Sequence, residues 1–266
     1  MFKDFKAHLS NWLSNPRRAK PGFIFSRLWR YLLKELRPIT RIFRRPRPLE
    51  PPIQTGSIEI LLSPAFRSSV AQVKRHTCLD EARLANVWNT VKLVGSGIFL
   101  EVGSFRGGTA LHICNAIDDS QQAGARFYSF DPFEKGGFES PRRDEIAFTA
   151  KHGFTNTDYA TVAKLLSAKP NATVVQGFFP QAAEPFDLQN IAFCHLDVDL
   201  YEATQKCLNY LEPRLAPRGA ILLDDLGDLG LPGVRDAVNH FLAQNPSFLL
   251  IEIFPLQGLL LPRHLW

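Results

Sequence analysis

The stretch Gly97-Ile-Phe-Leu-Glu101-Val-Gly103-Ser104-Phe-Arg106-Gly107-Gly108-Thr109 decides the fold of this chain. A short apolar strand leads into a glycine-rich turn, and the amphipathic run 110–117 follows it. Glycines allow close approach of backbone to a ligand, and the start of the next helix favours anionic or polar groups. The spacing Gly-x-x-x-Gly-Gly differs from the Gly-x-Gly-x-x-Gly of dinucleotide sites, so the ligand need not carry a pyrophosphate.

Strand and helix patterns alternate around this stretch. Strands are predicted near 97–103, 126–131, 172–176, 191–197 and 219–224, and helices near 81–94, 107–117, 156–168, 201–211 and 232–244. This alternation indicates a doubly wound, parallel α/β sheet covered by helices on both faces. The apolar runs 248–254 and 258–262 flank a short turn and are typical of a closing hairpin.

Carboxylates follow two of the predicted strands where each strand ends. His195-Leu-Asp197-Val-Asp199-Leu-Tyr201 closes one apolar run, and Leu222-Leu-Asp224-Asp225 closes the next. Ligands of open α/β sheets bind at this edge, and four clustered Asp repel one another unless protons or a cation intervene. A hard divalent ion such as Mg²⁺ takes oxygen ligands. The alternative is helix capping, because Asp is a favoured N-cap residue.

Three further residues are candidates for the same site. Glu101 places a carboxylate at the end of the first strand, two residues before the first glycine of the turn. Asp131 ends the second strand, and an acid there is suited to binding a ribose diol. His195 lies on an apolar strand, so the alternative for it is a buried core residue. The glycine turn and Asp131 together favour a ligand that contains a nucleoside.

The charge divides the chain into two parts. Residues 1–55 hold 13 Lys/Arg and 3 Asp/Glu, whereas residues 56–266 hold 18 and 23. We predict a basic, Pro-rich extension with a short amphipathic helix over 1–55 and one globular domain over 56–266. The extension either contacts an anionic membrane surface or packs on a partner or the body. The acidic body argues against a nucleic-acid partner.

The remaining features concern the compartment. Four cysteines lack the Cys-x-x-Cys spacing of zinc or redox motifs. No secretory leader pattern is present, and no apolar run approaches the roughly 18 residues of a membrane span. These features predict a cytoplasmic protein, membrane-associated if the basic N-terminus binds lipid. The oligomeric state stays open, with a homo-oligomer among the alternatives.

Five segments, taken in order, resemble class I S-adenosylmethionine-dependent methyltransferases. The resemblance is to the macrocin O-methyltransferase family in particular, relatives of catechol-type O-methyltransferases, and it covers about residues 75–262. It implies a Rossmann-like, seven-stranded sheet with a C-terminal antiparallel hairpin in a three-layer sandwich. The segments that carry it are 101–109, 129–134, 177–180, 196–202 and 224–225.

The resemblance also implies a site for S-adenosylmethionine. Asp131 would bind the ribose hydroxyls, while Gly177 and Phe178 would lie near the adenine. The methionine part would be cradled by Glu101, Gly103, Ser104, Gly107 and Gly108.

The reaction implied is methyl transfer to a hydroxyl of a small-molecule or sugar-like acceptor. Asp197, Asp224 and Asp225 would hold Mg²⁺, and Asp199 would act with Asp197 in catalysis as general base or substrate-orienting group. A metal lowers the pKa of a bound hydroxyl and fixes its oxygen. Val198 and Leu226 depart from the family pattern on the substrate side of the site.

Three other functions compete with this one. A glycosyltransferase could bind a nucleotide sugar through Asp197-x-Asp199 and a divalent ion, but the glycine turn and Asp224-Asp225 would then have no role. A non-catalytic cofactor-binding protein could dock a partner or membrane through residues 1–55. An NAD-linked oxidoreductase is the weakest alternative, because the glycine spacing is wrong for it.

Overall fold

Short apolar runs form the strands of this protein, and amphipathic runs between them form helices. The computed structural model describes residues 63–263; the predicted extension over 1–55 lies outside them. The described helices are α1 (Pro64–Val73), α2 (Glu81–Leu93), α3 (Gly108–Asp119), α4 (Ile146–Lys151), α5 (Tyr159–Leu166), α6 (Tyr201–Leu211) and α7 (Pro232–Gln244). The described strands are β1 (Ile98–Val102), β2 (Arg126–Asp131), β3 (Ala172–Gln176), β4 (Ile191–Leu196), β5 (Leu215–Leu223), β6 (Phe248–Ile253) and β7 (Gln257–Pro262).

The strands form one seven-stranded sheet with the order β3-β2-β1-β4-β5-β7-β6. Strands β1 to β5 pair in parallel, whereas β7 runs antiparallel to both β5 and β6. The predicted doubly wound α/β sheet with a C-terminal antiparallel hairpin is therefore confirmed. The order reverses direction between β1 and β4, so a crevice opens at the carboxyl ends of these strands.

Side chains of the central strands alternate between the two faces of the sheet. On β1, Phe99 packs in the core that includes α1, α2 and α3, whereas Leu100 packs in the core that includes α6 and α7. Both side chains are fully buried, and burying one contributes about 1.5–3 kcal/mol. Burial on both faces explains why the strand sequences are continuous apolar runs.

Three elements differ from the prediction. Strand β5 begins at Leu215 rather than near 219, because its pairing with β4 shifts between Ile191 and Phe193 and leaves Pro217 in the irregular part. Proline cannot donate a hydrogen bond to a regular ladder, but it is tolerated at such irregular positions. Helices α1 and α4 were not predicted. Within residues 63–263, no helix has the length and apolar character needed to cross a bilayer.

Candidate functional site

A cavity of about 430 Å³ opens at the carboxyl ends of the strands. This volume lies within the usual range for small-molecule sites. Each of the five parallel strands contributes to the wall directly or through the loop that follows it. The predicted site residues that line this cavity are Gly103, Ser104, Asp131, Gly177, Phe178, Asp197, Asp199, Asp224 and Asp225.

The glycine turn is held by close backbone contacts. Gly103 has φ +95°, and a Cβ there would stand 1.8 Å from the carbonyl oxygen of Asp197. Gly107 begins α3 in the left-handed conformation, and the Gly108 N–H donates to the His76 carbonyl at 3.0 Å. Gly103 and Ser104 line the cavity, whereas Gly107 and Gly108 do not; the cofactor role implied for these two glycines stays a prediction.

Replacing Gly103 with Ala is expected to lower the free energy of unfolding by about 3 kcal/mol, from left-handed backbone strain and displacement of the Asp197 carbonyl. Urea denaturation measures this change. The matched control is Gly124→Ala, because Gly124 also has positive φ, at +77°, but open space where a Cβ would go. Equal losses in the two variants would show that the contact with Asp197 carries no cost.

Glu101 lies beneath the cavity rather than in its wall. Its side chain is fully buried, accepts a hydrogen bond from the Ser129 hydroxyl at 3.2 Å and stands 3.8 Å from Nδ1 of His195. The parallel register explains this row, because Ser129 and His195 are the direct neighbours of Glu101 on β2 and β4. Glu101 thus does not line the cavity, its implied contact with a cofactor stays a prediction, and His195 is a buried core residue.

Asp131 points its carboxylate into the cavity with both oxygens fixed. Oδ2 accepts the N–H of Phe105 at 2.8 Å, and Oδ1 accepts the N–H of Phe133 at 2.6 Å. Burial raises the pKa of Asp131 to about 6, against the lowering effect of these two bonds. Each carboxylate oxygen keeps a second lone pair, so the side chain can accept hydrogen bonds from two adjacent hydroxyls.

Three other carboxylates of the cavity lining meet one another. Oxygens of Asp197, Asp199 and Asp225 all lie within 4.8 Å of one another. Asp199 and Asp225 have left-handed backbone, with φ of +62° and +54°, and such outliers cluster at functional sites. Burial, followed by the carboxylate of Asp225, raises the pKa of Asp199 well above its usual value. This cluster can hold a cation or a proton.

Asp224 occupies a different position from the one implied by the resemblance. Its Oδ2 accepts a hydrogen bond from Nη1 of Arg83 at 2.7 Å, and its Oδ1 is buried without a partner among the described residues. The structure therefore groups Asp199, rather than Asp224, with Asp197 and Asp225. The sequence did not predict Arg83 as a site residue, because its partner Asp224 is 141 residues away in the chain. The only sequence signal was an arginine within the predicted helix 81–94.

The helix-capping alternative for the carboxylates is wrong. Helix α6 begins after Leu200 and α7 after Leu231, and neither has a side-chain cap from an Asp. The N–H of Tyr201 is instead accepted by Glu145, a buried residue of the loop before α4, at 2.7 Å. None of the four Asp that follow β4 and β5 therefore caps α6 or α7.

An aromatic wall forms the side of the cavity next to Asp131. We use this name for Phe105, Phe138, Phe148, His152 and Phe154, all of which line the cavity. Neighbouring rings lie with their centroids 4.9–6.3 Å apart. Such rings provide a face for flat or ring-shaped ligands. The wall was also missed in the sequence, because its rings have no regular spacing.

Comparisons with known proteins agree with this geometry. A family model described as a methyltransferase domain matches residues 100–226. A 4'-O-methyltransferase of rhamnosyl-tetracenomycin C from Streptomyces olivaceus is 25% identical over 180 residues, which are 62% of this chain and 67% of that protein. Mycinamicin III 3''-O-methyltransferase from Micromonospora griseorubida is 25% identical over 182 residues, 62% of this chain and 70% of the relative.

Two solved structures share the fold. The O-methyltransferase NovP superposes with a TM-score of 0.61 at 22% identity, covering 71% of this chain and 82% of NovP. The calicheamicin methyltransferase CalS11 gives 0.57 at 18% identity, covering 74% and 91%. The finer assignment to the macrocin family stays a prediction. The family model and the two curated relatives support a class I S-adenosylmethionine-dependent O-methyltransferase.

Proposed function

We propose that this enzyme transfers a methyl group from S-adenosylmethionine to a hydroxyl of a sugar-bearing small molecule, with Asp199 as general base beside a divalent cation. The observation that carries the proposal is the meeting of Asp131 and the Asp197–Asp199–Asp225 cluster in one cavity. The acceptor class is supported by the relatives, one of which is named for a rhamnosyl tetracenomycin and the other for mycinamicin III.

The cofactor side of the cavity would be the glycine turn and Asp131. Gly103 lines the cavity without a side chain, so that a ligand can approach the backbone of the turn closely. Asp131 would accept hydrogen bonds from the two ribose hydroxyls, since its backbone bonds hold both oxygens in place. Gly177 and Phe178, which follow β3 and line the same cavity, are our candidates for the adenine side.

The carboxylate cluster fits a hard divalent ion such as Mg²⁺. Three clustered carboxylate oxygens are the donor type that Mg²⁺ prefers, and this ion needs only one or two carboxylates besides water and substrate oxygens. We assign Asp197 and Asp225 as the ligands, because Asp224 is engaged with Arg83. When bound, the cation would lower the pKa of the acceptor hydroxyl and fix its oxygen.

Asp199 would take the proton from the acceptor. The methyl group of a sulfonium is already electrophilic, so the enzyme mainly has to position a hydroxyl and deprotonate it. Asp199 lines the cavity beside the proposed cation ligands, and a carboxylate within hydrogen-bond reach of the hydroxyl can act as its general base. Leu200 and Val198 flank it in the cavity wall.

The rival functions do not account for these observations. A glycosyltransferase leaves the glycine turn and the methyltransferase match over 100–226 without explanation. An oxidoreductase shares the parallel sheet but not the antiparallel β7 between β5 and β6. The methyltransferase-domain match and the O-methyltransferase relatives likewise favour an enzyme over the non-catalytic alternative.

The test measures binding and transfer separately. Calorimetric titration with S-adenosylmethionine is expected to show micromolar affinity, and labelled methyl transfer to p-nitrophenyl α-L-rhamnoside is expected to depend on Mg²⁺ and to stop with a chelator. Catechol is the comparison acceptor. Transfer to catechol without transfer to the rhamnoside would overturn the sugar assignment, and full activity in the chelator would remove the cation.

A further inference from the structure

Arg83 is held against the carboxylate cluster from two directions. It lies on α2, before the first strand, and its side chain is 15% exposed. Nη1 stands 2.7 Å from Asp224 and 3.6 Å from Asp225, while Nη2 donates to the Cys78 carbonyl at 3.0 Å. The guanidinium is therefore a fixed part of the site rather than a solvated surface charge.

Carboxylates outnumber cations at this edge of the cavity. Asp197, Asp199, Asp224 and Asp225 line it together, and within residues 63–263 the ion pairs to the last two come from Arg83. An arginine stays protonated at any physiological pH. Asp224 is 2% exposed and has one oxygen without a partner, so it depends on Arg83 for compensation.

We infer that Arg83 is the resident counter-cation of this cluster and competes electrostatically with a bound divalent ion for the same carboxylates. The inference rests on the cation site of the proposed function. A positive charge 3.6 Å from Asp225 repels an ion bound to that carboxylate. The hydrogen bond from Arg83 also keeps the Asp224 carboxylate from binding the ion. Arg83 thus stabilises the cluster without an ion and keeps the affinity for one moderate.

The experiment titrates the full chain with Mn²⁺ alone. The concentration of free Mn²⁺ is measured by electron paramagnetic resonance, which gives the dissociation constant of the ion. Arg83→Gln is expected to bind Mn²⁺ about tenfold more tightly than wild type, because a repulsive charge is lost. Its melting temperature without metal should fall, and Mn²⁺ should raise it more than in wild type. Arg83→Lys, which keeps the charge, should stay within about threefold of wild type.

The matched control is Arg142→Gln. Arg142 also bridges two carboxylates, Asp144 and Asp236, but at the surface, so its loss should leave Mn²⁺ affinity unchanged. Unchanged or weaker binding by Arg83→Gln would overturn the inference. Absence of Mn²⁺ binding in both Arg83→Gln and wild type would overturn it together with the cation site, while binding of S-adenosylhomocysteine would show that the methyltransferase assignment still stands.

A variant that does not fold also gives an answer. If Arg83→Gln folds only when Mn²⁺ is present, as judged by binding of S-adenosylhomocysteine, the ion has replaced the arginine and the inference is supported. If it stays unfolded at saturating Mn²⁺, the ion cannot replace the guanidinium, and the inference is overturned.

Discussion

Replacing Asp199 with Asn is expected to lower the rate constant of methyl transfer about 1,000-fold, because a general base contributes roughly 10²–10⁴ to such a step. Asn keeps the size of the side chain and tolerates the left-handed backbone at this position, but it cannot accept the proton. Single-turnover kinetics with saturating S-adenosylmethionine measure the effect. Affinity for S-adenosylhomocysteine should not change, since Asp131 is not one of the three clustered carboxylates.

The control for this variant is Asp228→Asn. Asp228 lines the same cavity, but its Oδ1 accepts the N–H of Gly230 and it is not one of the three clustered carboxylates. Its replacement should cost less than about fivefold in rate, because no proton-accepting group is lost. A similar loss in both variants would indicate that overall negative charge, rather than a base at Asp199, supports the reaction.

Asp131→Asn is expected to weaken binding of S-adenosylhomocysteine about 100-fold. A hydrogen bond to a charged group contributes about 1.5–3 kcal/mol, and the amide replaces one acceptor oxygen with a donor. Calorimetry at pH 8 measures the change. The control is Asp158→Asn, because Asp158 also accepts a backbone N–H, that of Thr161, but outside the cavity. Retained affinity in Asp131→Asn would remove the ribose role.

The same carboxylate predicts how binding depends on pH. Because burial raises the pKa of Asp131 to about 6, the side chain is ionised at pH 8 and increasingly protonated below pH 6. Protonation removes acceptor capacity, so affinity for S-adenosylhomocysteine should fall as the pH drops through 6. Asp131→Asn should show a flat profile over this range.

The strands were predictable because they are buried on both faces. Phe193 and Cys194 on β4, for example, are both fully buried, so the sequence of that strand is apolar at every position except His195. Helix α4 was not predictable in this way: it spans six residues, none of them buried, and Ile146 is 53% exposed. A short helix without an apolar face has no periodic signal.

The sequence predicted those site residues whose position depends only on lying at the end of a strand. Asp131, Asp197 and Asp225 follow parallel strands, and strands of one sheet bring their ends together. Contacts between distant segments could not be predicted. The engagement of Asp224 by Arg83 and of the Gly108 N–H by His76 depends on how the chain before β1 packs, and no local pattern encodes that packing.

The position of β7 distinguishes the segment that the family model matches from the segment that forms the complete sheet. The family model matches residues 100–226, yet β5 is covered on its outer edge by β7 at residues 257–262, and the core that holds Phe193 of β4 also includes α2. A chain cut to the recognised limits would leave β5 with a row of unpaired backbone groups, an edge that invites aggregation. The segment that the family model matches is therefore shorter than the segment that completes the sheet, and we expect both flanks to be needed for folding.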